Sequence, residues 1–124
     1  MKELNIREPA LLIRIAALYR PNLTDEELYE ATRGVWRLGE RKNRVDLAFS
    51  VAEGHVLDVF SICGWHPAGS TSYRTRPHKD VNINGRWEFV GVRAPDDLRD
   101  QYLGGSVRHY WKQGASNPVL YINA

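Results

Sequence analysis

Residues 45–62 constrain the fold most, because the two-residue period of a strand runs through them and a glycine turn divides them. Val45, Leu47, Phe49 and Val51 alternate with Asp46, Ala48, Ser50 and Ala52, the pattern of a strand with one face in a core. Glu53-Gly54 follows, a tight turn in which glycine takes the positive φ that side chains resist. His55 to Ile62 then carries Val56, Leu57, Val59, Phe60 and Ile62. These are apolar on both faces, which predicts a central strand covered on two sides. A hairpin here commits the chain to antiparallel pairing.

The flanking segments add helices and further strands. Leu11, Leu12, Ile15, Leu18 and Tyr19 recur at helical spacing and predict a first helix from Glu8 to Arg20. Pro21 ends it, since the residue before a proline is pushed out of the helical region. Thr24-Asp25-Glu26-Glu27 is a capping box, so a second helix starts there and runs to about Gly34. Gly64 to Gly85 is a long connection, and such loops are usually functional or disordered. A strand is expected at Arg86 to Val92. Pro95-Asp96-Asp97 opens a short helix through Tyr102, its acids placed well for the helix dipole. A helical segment follows over Ser106 to Gln113, and Val119 to Ile122 closes the chain as a strand. With Val35 to Leu38 the strands number about five. The order does not alternate as a parallel α/β fold would. It predicts an α+β fold: a small, curved, mostly antiparallel sheet or barrel with an N-terminal helical pair. One domain covers 1–124, with 1–33 as the helical pair and 34–124 as the sheet.

A chain of 124 residues, 43% hydrophobic and 26% charged, can bury a core without metal or disulfide staples. Its one cysteine, Cys63, has no intramolecular partner and favours a reducing compartment. No apolar run approaches the roughly 20 residues that span a bilayer, and no targeting segment is visible. A cytoplasmic location without membrane attachment is expected. Cys63 and His66 stand three apart but lack the second pair that a zinc site needs, so Cys63 reads as a small buried hydrophobe. Gly104-Gly105 lacks the spacing and lysine of a phosphate loop. No metal and no cofactor are predicted.

Net charge is only +2, yet the basic residues gather in two places. Arg33, Arg37, Arg41, Lys42 and Arg44 face Glu40 alone, and Arg74, Arg76, Lys79 and Arg86 face Asp80 alone. Such segments suit a phosphate-bearing partner or form solvated faces. The loop Trp65 to Arg76 joins two aromatics, a histidine, four Ser and Thr hydroxyls and two arginines. Arginine forks match phosphate oxygens, and an aromatic face stacks on any base. Trp36 between Arg33 and Arg37 repeats that mixture. Trp36 and Trp65 would then wall a base, or else both belong to the core. His66, Tyr73 and Asn117 are candidates to read polar base edges, although Asn117 before Pro118 is also an ordinary turn start. Arg108 and Lys112, beside Tyr110 and Trp111, either extend the basic surface or anchor to the core. For an enzyme, Glu88, Asp58 or His66 would be the acid or base. On a strand, Glu88 and Asp58 are more simply outward-facing residues.

Three stretches carry a family likeness: Arg33-Gly34-Val35-Trp36; Ala48-Phe49-Ser50-Val51 leading to Val56–Ile62 and Trp65; and Trp87-Glu88-Phe89-Val90-Gly91 with the closing Asn117 to Asn123. Their order and aromatic placement resemble the small barrels of the PUA-like superfamily, which includes the EVE, ASCH and YTH domains. The ASCH glycine-lysine signature is absent, and so is a clean aromatic cage. The whole chain also resembles bacterial proteins of this length. The likeness implies recognition of a nucleotide or modified base in a pocket at the barrel mouth. The expectation is therefore a non-catalytic nucleic-acid or nucleotide-binding module using Arg33, Trp36, Arg37, Trp65, His66, Tyr73, Arg74, Arg76 and Asn117. A small enzyme on an anionic substrate and a protein-interaction subunit are the alternatives.

Overall fold

A computed structural model describes residues 2–124. Six strands form one curled, mixed sheet in the order β2-β5-β4-β3-β1-β6. They are β1 (Ala10–Arg14), β2 (Gly34–Trp36), β3 (Leu47–Ala52), β4 (His55–Pro67), β5 (Trp87–Arg93) and β6 (Val119–Ile122). The helices are α1 (Asp25–Arg33), the single turn α2 (His78–Val81) and α3 (Asp96–Tyr102). The class is α+β, but among the described residues the strands are six and there is no N-terminal helical pair.

The helix expected over Glu8–Arg20 is instead β1, parallel to β3 and antiparallel to β6. Ala10, Leu11, Leu12 and Ile13 have no exposed surface at all. Leu11 and Ile13 enter one apolar cluster, Ala10 and Leu12 the other. A helix with one apolar stripe leaves some of four consecutive positions in water, whereas a strand between two covered faces buries them all. Leu18, a later member of the supposed stripe, is 40% exposed in the turn beyond. The sheet is accordingly mixed.

The hairpin forms where expected. Glu53 (φ 53) and Gly54 (φ 79) make the turn, with both central residues in the positive-φ region that matches strand twist. Yet β3 is covered on both faces, not one: all six of its residues are buried. Its small alternate residues leave room for α1, whose Thr32 Oγ1 lies 2.5 Å from Ser50 Oγ. The capping box of α1 is present in both directions, Glu27 N–H to Thr24 Oγ1 and Thr24 N–H to Glu27 Oε1. Only Arg108–Tyr110 of the helix expected over Ser106–Gln113 is helical, as a 3-10 turn. Ser106 spends its backbone on bridges to Glu3 and His55, which a helix would forgo.

Strand β4 is longer than expected and carries Gly64, Trp65 and His66 inside the sheet. The connection that follows, 68–86, folds back from the β4–β5 end toward α1 and β2. None of the helices is long and apolar enough to cross a membrane.

Candidate functional site

The site is built around two buried acids that hold the 68–76 segment. Glu88 lies in β5 between Gly34 of β2 and His66 of β4 and has no exposed surface. It is not the outward-facing residue that alternation suggested. Its carboxylate accepts the Gly69 N–H (2.9 Å), the Thr71 N–H (2.8 Å), the Thr71 hydroxyl and the Tyr73 hydroxyl (3.0 Å). Glu30, in the middle of α1 and 4% exposed, does the same one step along. It accepts the Arg74 N–H (2.8 Å) and both the N–H and hydroxyl of Thr75 (2.6 Å each). Burial pushes both carboxyls up, but these hydrogen bonds more than offset it and hold each below the ordinary glutamate range. Burial, with Glu88 adding to it, drives the Tyr73 phenol far above its usual range.

Two guanidiniums balance the two carboxylates. Arg33, the last residue of α1, is 3% exposed. It donates to Thr71 Oγ1 and stacks 4.0 Å from the Tyr73 ring centroid, with Tyr29 at 5.6 Å. Its Nη1 is buried without a hydrogen-bond partner; aromatic faces take the place of water there. Arg76 donates through Nη1 to the carbonyls of Glu30 (3.0 Å) and Gly34 (2.6 Å). It thereby closes the C-terminal end of α1. Gly34 lets these parts approach: a Cβ there would collide with Tyr73 Oη and stand 3.0 Å from Glu88 Cβ.

Two cavities flank this cluster and share Arg76 as a wall. The larger, about 620 Å³, runs between the end of β1, the edge strand β2 and the approach to β6. Ile15, Leu18, Val35, Trp36 and Pro118 give it apolar walls, and Arg14 and Arg76 are its charged residues. No carboxylate lines it. The smaller, about 350 Å³, is lined by the hydroxyl-rich loop 69–73 with Arg76, His78 and Val81.

The expected site residues fall into three groups. Trp36, Tyr73 and Arg76 line these cavities, and Arg33 supports them from below. Trp36 is half-buried, its ring fixed by Nε1–H donation to the Thr32 carbonyl (2.8 Å). Trp65 is not a loop residue; it packs edge-on against Phe89 at 5.5 Å with its Nε1 buried and unpartnered, and it lines neither cavity. His66, on β4, stands half-buried opposite Glu88. Arg74 is exposed and 3.7 Å from Glu26, while Arg37 is exposed just past β2. Asn117 spends its side chain on the Val119 N–H (3.1 Å) and its carbonyl on Arg14, at the rim of the larger cavity.

Asp58 belongs elsewhere. It is buried, not outward-facing, and bonds Arg93 (3.0 Å) and Arg99 (2.8 Å) to tie α3 to the sheet. Cys63 is exposed rather than buried. Among the described residues no three His, Cys, Asp or Glu side chains gather as metal ligands. In the other basic segment, Lys42 is buried 3.8 Å from the Trp87 ring centroid and Arg41 sits 4.4 Å over Tyr121. Most of that charge is engaged locally.

Sequence reasoning missed Glu30, Arg14 and Gly34. Nothing in the spacing of Glu30 marks a buried acid, because the segment that buries it arrives from 44 residues away. Arg14 was hidden by the misread helix. Comparison with known proteins finds no matching family model, no matching curated protein and no matching solved structure.

Proposed function

We propose that the protein is a PUA-like, non-catalytic binding module for a nucleotide or a single-stranded nucleic acid, holding one base in the groove between the edges of its curled sheet. The observation that carries this reading is the composition of that groove. A tryptophan with a fixed ring and four aliphatic or proline walls line about 620 Å³, and both charged lining residues are arginines. That volume lies within the range of small-molecule sites. A base stacking on Trp36 supplies affinity that any sequence shares. Arg14 and Arg76 at the walls, with Arg37 near the rim, supply attraction for phosphate.

The same geometry disfavours acid–base chemistry at the expected carboxylates. Glu88 accepts four hydrogen bonds, which fill its lone-pair sites, and Asp58 is tied to two arginines; neither lines a cavity where a substrate proton could reach it.

Fluorescence anisotropy with labelled single-stranded RNA and DNA 10-mers tests the reading. Affinity should fall steeply between about 50 and 200 mM salt. Trp36→Leu should weaken it about tenfold or more, as one lost stacked base predicts. No anisotropy change with any oligonucleotide at low salt overturns it.

A further inference from the structure

Resting on that reading, we propose that the ligand ends in a phosphomonoester, and that the smaller cavity at the 69–78 loop receives this terminal phosphate while the base occupies the groove. The two cavities meet at one wall. Gly34 and Trp36 lie on the groove side, Tyr73 and the 69–72 hydroxyls on the other, and Arg76 lines both. A ligand stacked on Trp36 with its sugar-phosphate end turned toward Arg76 would bring that end to the residue that also lines the smaller cavity.

The donors left over in that cavity define what it takes. Thr71 and Tyr73 already donate their hydroxyl protons to Glu88, and Ser70 donates its own to the Pro67 carbonyl. Gly69 and Thr71 also spend their N–H groups on Glu88. Ser72 makes no hydrogen bond among the described residues, and His78 is exposed with an unengaged ring. Arg76 uses Nη1 for two carbonyls, which fixes the guanidinium and leaves its Nε and Nη2 for an oxyanion. Three residues with uncommitted donors thus line a space of about 350 Å³ that no carboxylate lines. A phosphomonoester presents three unbridged oxygens to such a set; an internal phosphodiester presents two and needs a path out for the continuing strand. The Glu88 and Glu30 hydrogen bonds hold the loop that carries these donors, so the cavity is formed before any ligand arrives.

The test compares the same 10-mer bearing a 5′-phosphate, a 3′-phosphate or hydroxyl ends, together with the four nucleoside monophosphates and their nucleosides. One phosphate-ended oligonucleotide, or a monophosphate over its nucleoside, should bind at least about tenfold tighter, a factor that corresponds to about 1.4 kcal/mol. Inorganic phosphate should compete for that advantage alone. Ser72→Asp, which places a negative charge in the cavity, and His78→Ala should both bring the ratio toward one; the positions are exposed loop residues, and a far-ultraviolet dichroism spectrum checks that the variants fold. Equal binding of phosphate-ended and hydroxyl-ended probes, with Trp36-dependent affinity intact, overturns the terminal-phosphate inference and leaves the groove reading standing. Absence of binding by every probe overturns both.

Discussion

Glu88 shows how strongly a single strand acid is redefined by what folds over it. Its neighbours Trp87 and Phe89 placed it correctly in a strand, but alternation alone assigns such a residue to water. The structure covers it with a loop whose amides and hydroxyls fill its oxygens, and sets the Arg33 guanidinium behind Thr71. Glu88→Gln keeps the shape, turns an acceptor into a donor facing other donors, and removes the buried negative charge to which Thr71, itself bonded by Arg33, donates. A loss of about 3 kcal/mol is expected, since removing one partner of a buried charge cluster is costly. Urea denaturation followed by tryptophan fluorescence measures it; a midpoint equal to that of the wild type would mean the carboxylate does not latch the loop. The basic residues follow the same rule. Arg33, Arg76, Arg41 and Lys42 were legible as cations in the sequence, but their aromatic and carbonyl partners were not.

At the level of elements, the contrast between α1 and β1 is instructive. The capping box that starts α1 spans four residues, so it is visible wherever it occurs. The identity of β1 depends on β3 and β6, whose partner residues lie 37 and more positions away. The stretch Leu11 to Ile15 satisfies a helical stripe and a two-faced strand equally well, and only the presence of apolar partners on both sides decides between them. Leu11→Ala and Leu12→Ala, pointing to opposite faces, should each cost about 3 kcal/mol of unfolding free energy, as fully buried leucines do. A single-stripe helix would leave other positions in 10–15 tolerant; alanine substitutions across that range, read by thermal or chemical denaturation, separate the two. The hairpin of β3 and β4 was legible because its turn and alternation are local. The extension of β4 to Pro67 was not, since Gly64 and Pro67 look like breakers until β5 pairs with them.

For the molecule as a whole, the two buried glutamates make stability depend on pH in one direction. Glu30 and Glu88 are held below the ordinary value near 4.5 in the folded state. An acid with a depressed folded pKa contributes stability that is complete above the unfolded value and is lost as pH falls through the folded one. Denaturation curves should therefore be flat in this respect down to about pH 5 and weaken progressively below it. In Glu88→Gln that acid decline should be shallower, because one of the linked groups is gone. An unchanged acid limb in the variant would assign the decline to other carboxylates. Because the 68–76 segment joins β4 and β5 to α1, its release couples the loop to the helix that carries Arg33; the smaller cavity should be lost and the larger should lose its Arg76 wall.

By itself, the sequence determined the hairpin, the capped helix, the closing strand and the loop in which hydroxyls, Tyr73 and Arg76 gather, because each depends on residues a few positions apart. Tertiary structure alone decided that β1 is a strand, that the sheet is mixed and six-stranded, and which side chains face a cavity. Burial and pairing are properties of contacts between distant segments, and a buried acid such as Glu30 is marked only by the chain that comes to cover it.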